Sequence, residues 1–418
     1  SNTSFTYDGS SHVPTANVTG LVSGDSCIVN VSGGQTNVGS YTATASSLSN
    51  TNYKLPSANT HSFSIVKAAG SISFNNSSVN KTYGDSSFTN TLTNTGDGSV
   101  IYSSGNTNVA TINSSTGQVT IVNAGSTTIT ATVNDGSNYK YATTTATYTL
   151  NVDKASVGEK PDTTISKTYN GSSQDNGYIT PSNVSMTGNN SGTNVGNYSA
   201  TYTPDTNYKW SDNTTDAVTR TLAITKREVT FNAPTINTEE LTYDGNSKTL
   251  ASVGSASEAG TMYYYVSSNS TKPTFSTSTW KTSIDNAIDA GTYYIYYYCY
   301  VADTTNNTGT NINTVLSVNK TINNATITVT ANDQEYTYDG NAHGEAIDVT
   351  TINSQTATIK YGITEGTYDL SEVPNIINVL DSKTIYYQVT ALNHNTVTGS
   401  YKLTINKAVG SVTAPSDK

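Results

Sequence analysis

At 418 residues the chain exceeds what one hydrophobic core supports, and 20 Lys and Arg against 30 Asp and Glu give a net charge of −10. The acidity and the lack of any Lys/Arg cluster exclude nucleic-acid binding, which needs a basic stripe to displace counterions. No apolar run approaches the ~20 residues of a membrane helix, so no membrane insertion is expected within this segment. Only 12% of residues are charged and 34% are hydrophobic, so solubility rests on Ser, Thr and Asn. Val, Ile, Thr and Tyr alternate with these polar residues, the pattern of half-buried strands, and predict an all-β chain.

A Tyr-Asp-Gly or close relative recurs at Tyr7-Asp8-Gly9, Tyr83-Gly84-Asp85, Tyr169-Asn170-Gly171, Tyr243-Asp244-Gly245 and Tyr338-Asp339-Gly340. The spacing is that of domains rather than solenoid repeats. Segments closing on Lys67, Lys154, Lys226, Lys320 and Lys407 mark the ends of the units. The predicted divisions are 1–68, expected to be truncated at its N-terminal end, then 69–155, 156–226, 227–320 and 321–408, with 409–418 opening a further module.

In the first unit Phe5-Thr6-Tyr7-Asp8-Gly9 reads as a strand running into a hairpin turn, because Asp-Gly tolerates positive φ. Asn37-Val38-Gly39-Ser40-Tyr41 then places a turn before a strand. The third unit repeats this at Asn194-Val195-Gly196-Asn197-Tyr198, and both units later carry Asn-Tyr-Lys, at Asn52 and Asn207. The second unit has three short strands, around Val109-Ala110-Thr111-Ile112, Gln118-Val119-Thr120 and Ser126–Ala131. The fourth is loaded with tyrosine. The fifth contains Tyr368-Asp369-Leu370-Ser371-Glu372-Val373-Pro374, the segment expected to form a short helical turn. The joints are too short to act as Gly/Ser linkers, so a semi-rigid, monomeric row is expected. Strands of ten residues span ~33 Å, which predicts an extended rod for five modules end to end.

These motifs resemble the YDG and MBG repeat modules of bacterial surface proteins in units one, three, four and five. Unit two resembles a group-2 bacterial immunoglobulin-like domain, through Val109-Ala110-Thr111-Ile112, Gly117-Gln118-Val119 and Gly125-Ser126-Thr127-Thr128-Ile129. The resemblance implies tandem immunoglobulin-like β-sandwiches, with β-grasp-like modules as the alternative for some repeats. It implies an extracellular stalk or adhesin segment at the bacterial cell surface or cell wall, anchored outside this segment.

Candidate chemistry is sparse. Strand alternation in Tyr293–Tyr300 puts Tyr293, Ile295, Tyr297 and Cys299 on one face, expected in the core, and Tyr294, Tyr296, Tyr298 and Tyr300 on the other. With Tyr264 and Trp280 these form an expected exposed stripe for a cell-surface glycan or host protein, against which stands plain cross-strand tyrosine packing. Trp210 is expected to cap the end of a sandwich. Asn134-Asp135-Gly136-Ser137-Asn138 offers one carboxylate where calcium wants several, so a turn is expected and no metal or cofactor. Cys27 and Cys299 fall in different units, and no disulfide is expected between them. Lys81, Lys167 and the terminal-strand lysines are candidates for isopeptide bonds. No nucleophile or acid/base constellation stands out, so an enzyme is not expected. Non-catalytic accessory modules of a secreted polysaccharide-degrading enzyme are the remaining alternative.

Overall fold

The computed structural model describes residues 3–413. Residue contacts gather the chain into two compact units, Ser1–Ile165 with Asp175–Gly192 and Asn197–Leu222, and Ser166–Gln174 with Thr193–Gly196 and Ala223–Lys418.

One four-stranded sheet recurs five times with the same order. In the first unit it runs Ser4–Thr6, Thr60–Val66, Gly39–Leu48, Val29–Ser32, and again Ser78–Thr82, Thr145–Asp153, Gly125–Val133, Val100–Ser104. In the second unit it runs Leu241–Thr242, Leu316–Asn323, Gly291–Tyr300, Thr261–Ser267, and then Gln334–Thr337, Val397–Asn406, Lys383–Thr390, Thr358–Gly362. The third sheet has the order Thr164–Thr168, Val218–Thr225, Gly196–Pro204, Val184–Gly188. In the first, second, fourth and fifth of these sheets the opening strand lies parallel to the last strand, as in Ser4 opposite Ser64 and Gln334 opposite Leu403. The other pairings are antiparallel, as in Thr128 opposite Thr149 and Tyr296 opposite Ser317.

Alternation builds the cores. In Thr145–Asp153 the side chains of Tyr148, Leu150 and Val152 point inward while Thr147 and Thr149 face solvent. They meet Val109, Ala110 and Val119 from the small opposing sheet of Ala110–Ile112, Gln118–Ile121 and Phe88–Thr89, which closes a two-layer sandwich. The fold is thus all-β and built of tandem immunoglobulin-like modules. Among the described residues the helices are two three-residue 3-10 turns, Ile352–Ser354 and Val379–Asp381, and there is no α-helix to pack across a sheet as a β-grasp requires. No helix is long and apolar enough to cross a membrane.

Three expectations are corrected. Residues 368–374 form no helix, because Leu370 pairs with Tyr361 through two backbone hydrogen bonds of 2.8 and 2.9 Å. The strand Leu316–Asn323 runs through the boundary expected at 320/321, so Lys320 lies inside a strand and the joint falls at Asn324-Ala325. The Tyr-Asp-Gly is not a hairpin turn, since the strand before it pairs in parallel with a strand about 60 to 80 residues on. It is instead an Asx turn. The Asp8, Asn170, Asp244 and Asp339 side chains each accept from the backbone N–H two residues on, at 2.8 to 2.9 Å, and Gly340 sits at φ 83°.

Tyr148 is buried, yet its hydroxyl has no partner among the described residues, and burial pushes its pKa up to about 12. Replacing Tyr148 by Phe removes an unsatisfied group at constant shape. Urea denaturation of Tyr148→Phe is expected to show unchanged stability or a gain of up to about 1 kcal/mol, not a loss. The Asn341 backbone N–H and the His343 ring beside Asp339 hold its carboxyl at about 2. A carboxylate depressed below its unfolded value stabilises the fold above about pH 4 and loses that contribution as pH falls through 2. NMR titration of the Asp339 carboxyl should place its midpoint near 2, moving toward the free value in His343→Ala.

Candidate functional site

The same polar contact forms at four joints, two in each compact unit. At the first joint, the Val38 N–H donates to Asn138 Oδ1 at 3.0 Å, and the carbonyl of Asn138 accepts from Ala68 N–H at 3.0 Å. At the second, Ala124 N–H donates to Asn207 Oδ1 (3.0 Å), Asn207 Nδ2 donates to Asn123 Oδ1 (2.8 Å), and Ala155 N–H donates to the Asn207 carbonyl (3.0 Å). The third repeats this with Val195 N–H on Asn306 Oδ1 (2.8 Å), Asn306 Nδ2 on Asn194 Oδ1 (3.2 Å) and Arg227 N–H on the Asn306 carbonyl (3.0 Å). The fourth has Ala290 N–H on Asn393 Oδ1 (2.9 Å), Asn393 Nδ2 on Asp289 Oδ1 (2.8 Å) and Ala325 N–H on the Asn393 carbonyl (2.9 Å).

Each asparagine therefore pins the opening of its own module with its backbone and grips the preceding module with its side chain. The gripped element is always the turn that starts the penultimate strand: Asn37-Val38-Gly39, Asn123-Ala124-Gly125, Asn194-Val195-Gly196 and Asp289-Ala290-Gly291. Glycine suits that turn, as Gly125 and Gly291 lie at φ 145° and 151°.

The repeated tyrosine completes the joint. In all five modules its N–H donates to a carbonyl at the end of the last strand, from Tyr7 on Val66 to Tyr338 on Asn406, at 2.8 to 3.0 Å. That bond sets the ring against the residue that follows the next module's asparagine. Tyr7 meets Tyr139 edge-on at 5.4 Å, Tyr83 meets Tyr208 at 5.5 Å, and Tyr243 meets His394 at 5.6 Å. At the third joint Arg227 lies 5.6 Å over the Tyr169 ring. The fourth joint adds a bond from Gln355 Nε2 to the Tyr243 hydroxyl at 2.6 Å. The sequence signals for this contact were the Asn-Tyr-Lys and Asn-Val-Gly repeats, which sequence reasoning took only as marks of a shared fold.

The tyrosine face of the fourth module differs from its expected form. Ile295, Tyr297 and Cys299 are buried as expected, but Tyr296 is also buried and its hydroxyl donates to the Asn269 carbonyl at 2.9 Å. The segment 268–290 folds back over the strand. Phe275 stacks on Tyr298 with ring centroids 3.8 Å apart, and Trp280 is buried beside it. Tyr264 lies in the core on the opposite face, its hydroxyl accepting from Gly254 N–H at 2.7 Å. Tyr294, Tyr298 and Tyr300 are half-buried. The open stripe is thus corrected to a covered aromatic cluster, because period-2 alternation says which face a side chain takes and not what covers that face.

Trp210 is fully buried in its core, with Nε1 donating to the Asp216 carbonyl at 2.9 Å. In the 134–138 segment, Asp135 Oδ1 accepts from Tyr141 N–H at 2.9 Å, an ordinary turn. No group of three metal-ligating side chains occurs among the described residues. Cys27 and Cys299 are both free thiols. Among the described residues no lysine is buried; Lys81 lies over the Phe88 ring and Lys226 donates to the Thr304 carbonyl at 2.7 Å.

A family model described as bacterial Ig-like domain (group 2) matches residues 85–144. No curated protein sequence matches. Among solved structures, protocadherin gamma B2 extracellular cadherin domains 1–5 share 11% identity over 90% of this chain and 86% of that one, with a TM-score of 0.26. Sidekick-1 immunoglobulin domains 1–5 share 12% over 89% and 86%, TM-score 0.19, and the human desmocollin-1 ectodomain 9% over 99% and 99%, TM-score 0.23. Likeness at this level says nothing about ligands or partners.

The joints make a direct prediction, because Lys226-Arg227 is a trypsin site lying at the third one. Asn306→Ala removes three side-chain hydrogen bonds, two of them across the joint to Val195 and Asn194 and one to Asp303, each worth about 1 kcal/mol. Tryptic cleavage after Lys226 or Arg227 should accelerate about tenfold or more in that variant, while cleavage at Lys67 stays unchanged.

Proposed function

We propose that this segment is a non-enzymatic stalk and multivalent contact of an extracellular bacterial surface protein, with YDG/MBG-type modules flanking a group-2 immunoglobulin-like one. The observation that carries the reading is the joint. One asparagine grip, repeated four times with hardly a spare residue between strands, makes sense for a chain selected to keep successive modules in a fixed relation. Such a row presents modest contacts at set spacing, and weak sites so arranged combine through effective concentration. A cell-surface glycan or host protein is the partner class, met through half-buried aromatic rings such as Tyr298 and Tyr300.

The test places the segment between a surface anchor and a reporter binder on a bacterial cell. Capture of large beads should rise when the segment is present and fall when Asn207→Ala and Asn306→Ala are combined. Equal capture with and without the segment would sink the stalk reading. A parallel glycan array compares the chain with a Tyr294→Ser, Tyr298→Ser, Tyr300→Ser variant; binding lost in the variant assigns the contact to that cluster.

A further inference from the structure

The pair Asn-Gly occurs at two places, Asn170-Gly171 and Asn176-Gly177, both in the third module. In this pair the glycine nitrogen can approach the side-chain amide carbon, because no Cβ stands in its way. The structure holds the two copies in opposite states.

At Asn176 every group that such an approach would move is tied down. The side chain is fully buried, Nδ2 donates to the Tyr202 hydroxyl at 2.8 Å, and Oδ1 accepts from Tyr178 N–H at 3.1 Å. Gly177 N–H, the nitrogen that would attack, donates to Asp175 Oδ1 at 2.8 Å. The Asn176 carbonyl also accepts from Arg220 Nε at 2.9 Å.

Asn170 is exposed, and Gly171 N–H has no hydrogen-bond partner among the described residues. Gly171 lies at φ 83° with open space where a Cβ would stand, so water reaches the turn. Asn170 Oδ1 accepts from Ser172 N–H at 2.9 Å, a donor placed to hold the charge that grows on that oxygen when its carbon is attacked.

The equivalent turns carry aspartate with a basic side chain four residues on: Asp8 with His12 at 2.8 Å, Asp244 with Lys248 at 2.6 Å, and Asp339 with His343 at 2.8 Å. The Ser10 N–H at Asp8 and the Lys248 ammonium at Asp244 hold those carboxyls below the ordinary range, and an ionised carboxylate resists attack. Among these four turns the third module's alone has a neutral amide. Gln174 takes the fourth place there, its Nε2 donating to the Thr168 carbonyl at 3.1 Å.

We propose that Asn170 is a self-modifying site that sets a chemical clock on the third joint. The Gly171 nitrogen gives its proton to solvent base and attacks Asn170 Cγ. The bond from Cγ to Nδ2 breaks, ammonia leaves, and a succinimide ring remains. Water then opens the ring. Breaking the bond from Cγ to the glycine nitrogen gives aspartate, the residue of the equivalent turns. Breaking the bond from the main-chain carbonyl carbon gives isoaspartate, in which Cβ and Cγ carry the main chain. Water enters, ammonia leaves, and one negative charge is gained. Aspartate keeps the Asx turn, whereas isoaspartate lengthens the main chain by one carbon and removes the side-chain oxygen on Ser172. The change falls directly after Tyr169, whose N–H is fixed on the Thr225 carbonyl at 2.8 Å and whose ring lies under Arg227. The third joint therefore loosens with age, and no other joint tyrosine precedes Asn-Gly.

Incubation of the 418-residue chain at physiological pH and temperature tests this, read by fragmentation mass spectrometry of tryptic Thr168–Lys209, which carries both pairs. Asn170 should convert at a rate that rises with pH. Asn176 should convert at least about a hundredfold more slowly, since three hydrogen bonds must open there first. In urea the two should convert at similar rates. Methyl transfer by an isoaspartyl methyltransferase should mark the isoaspartate. In limited digestion, cleavage after Lys226 or Arg227 should run about fivefold faster in the aged chain than in equally aged Asn170→Asp, which keeps the turn. Asn170 unchanged in the folded chain, or Asn176 converting as fast, overturns the site. Isoaspartate without faster cleavage overturns its link to the joint.

Discussion

The primary amide of one asparagine per joint is the contact on which the arrangement of neighbouring modules depends. An amide carries an acceptor and a donor in one plane; every joint uses the acceptor, and three of the four also use the donor. Oδ1 takes the N–H of the preceding turn, and Nδ2 gives to an Asn or Asp oxygen on the same turn at the second, third and fourth joints. Aspartate would lose the donor and set a like charge against Asp289, while glutamine would stand one methylene too far out. Because the backbone carbonyl of the same residue holds the opening of its own module, the grip cannot slip without disturbing the fold beneath it.

This constraint explains why the joints need no length. Chain, asparagine and tyrosine meet within a few residues of Lys67-Ala68, Lys154-Ala155, Lys226-Arg227 and Asn324-Ala325. Small intramolecular interfaces ordinarily leave domains free to move. Here one directed hydrogen bond at the first joint and two at each of the others, with an aromatic or cation contact, restrict that freedom, and each aromatic pair adds about 0.5 to 1.5 kcal/mol. The tyrosine chosen by the sequence as a turn marker proves to serve two ends, since its turn is made by the Asp-Gly that follows while its ring belongs to the neighbour.

The fourth module shows where reading by period stops. Alternation correctly sent Ile295, Tyr297 and Cys299 inward, because side chains on a strand must take opposite faces. It left Tyr296 and Trp280 exposed, because the covering segment that supplies Phe275 has no regular period to read. Tyr264 failed for a related reason: its strand pairs with Tyr297, which puts it on the core side rather than with the stripe. The fifth module's expected helical turn was lost to pairing with a strand edge, a non-local contact that local composition does not encode.

Sequence alone determined the all-β class, the five-fold recurrence, the kinship of the modules and the acidic, cysteine-poor surface, because period, turn chemistry and charge are local properties. It placed a turn at each Tyr-Asp-Gly, though not its Asx type, and most inward-facing side chains for the same reason. Only the tertiary structure decided that the opening strand lies parallel to the last, that a loop covers the tyrosine cluster, and that Asn138, Asn207, Asn306 and Asn393 hold the joints. Those contacts join residues about 80 to 110 positions apart, as with Val38 and Asn138. Each Oδ1 takes a backbone N–H, which every residue but proline carries, so the Asn-Tyr-Lys and Asn-Val-Gly repeats show that the segments recur and not that they meet.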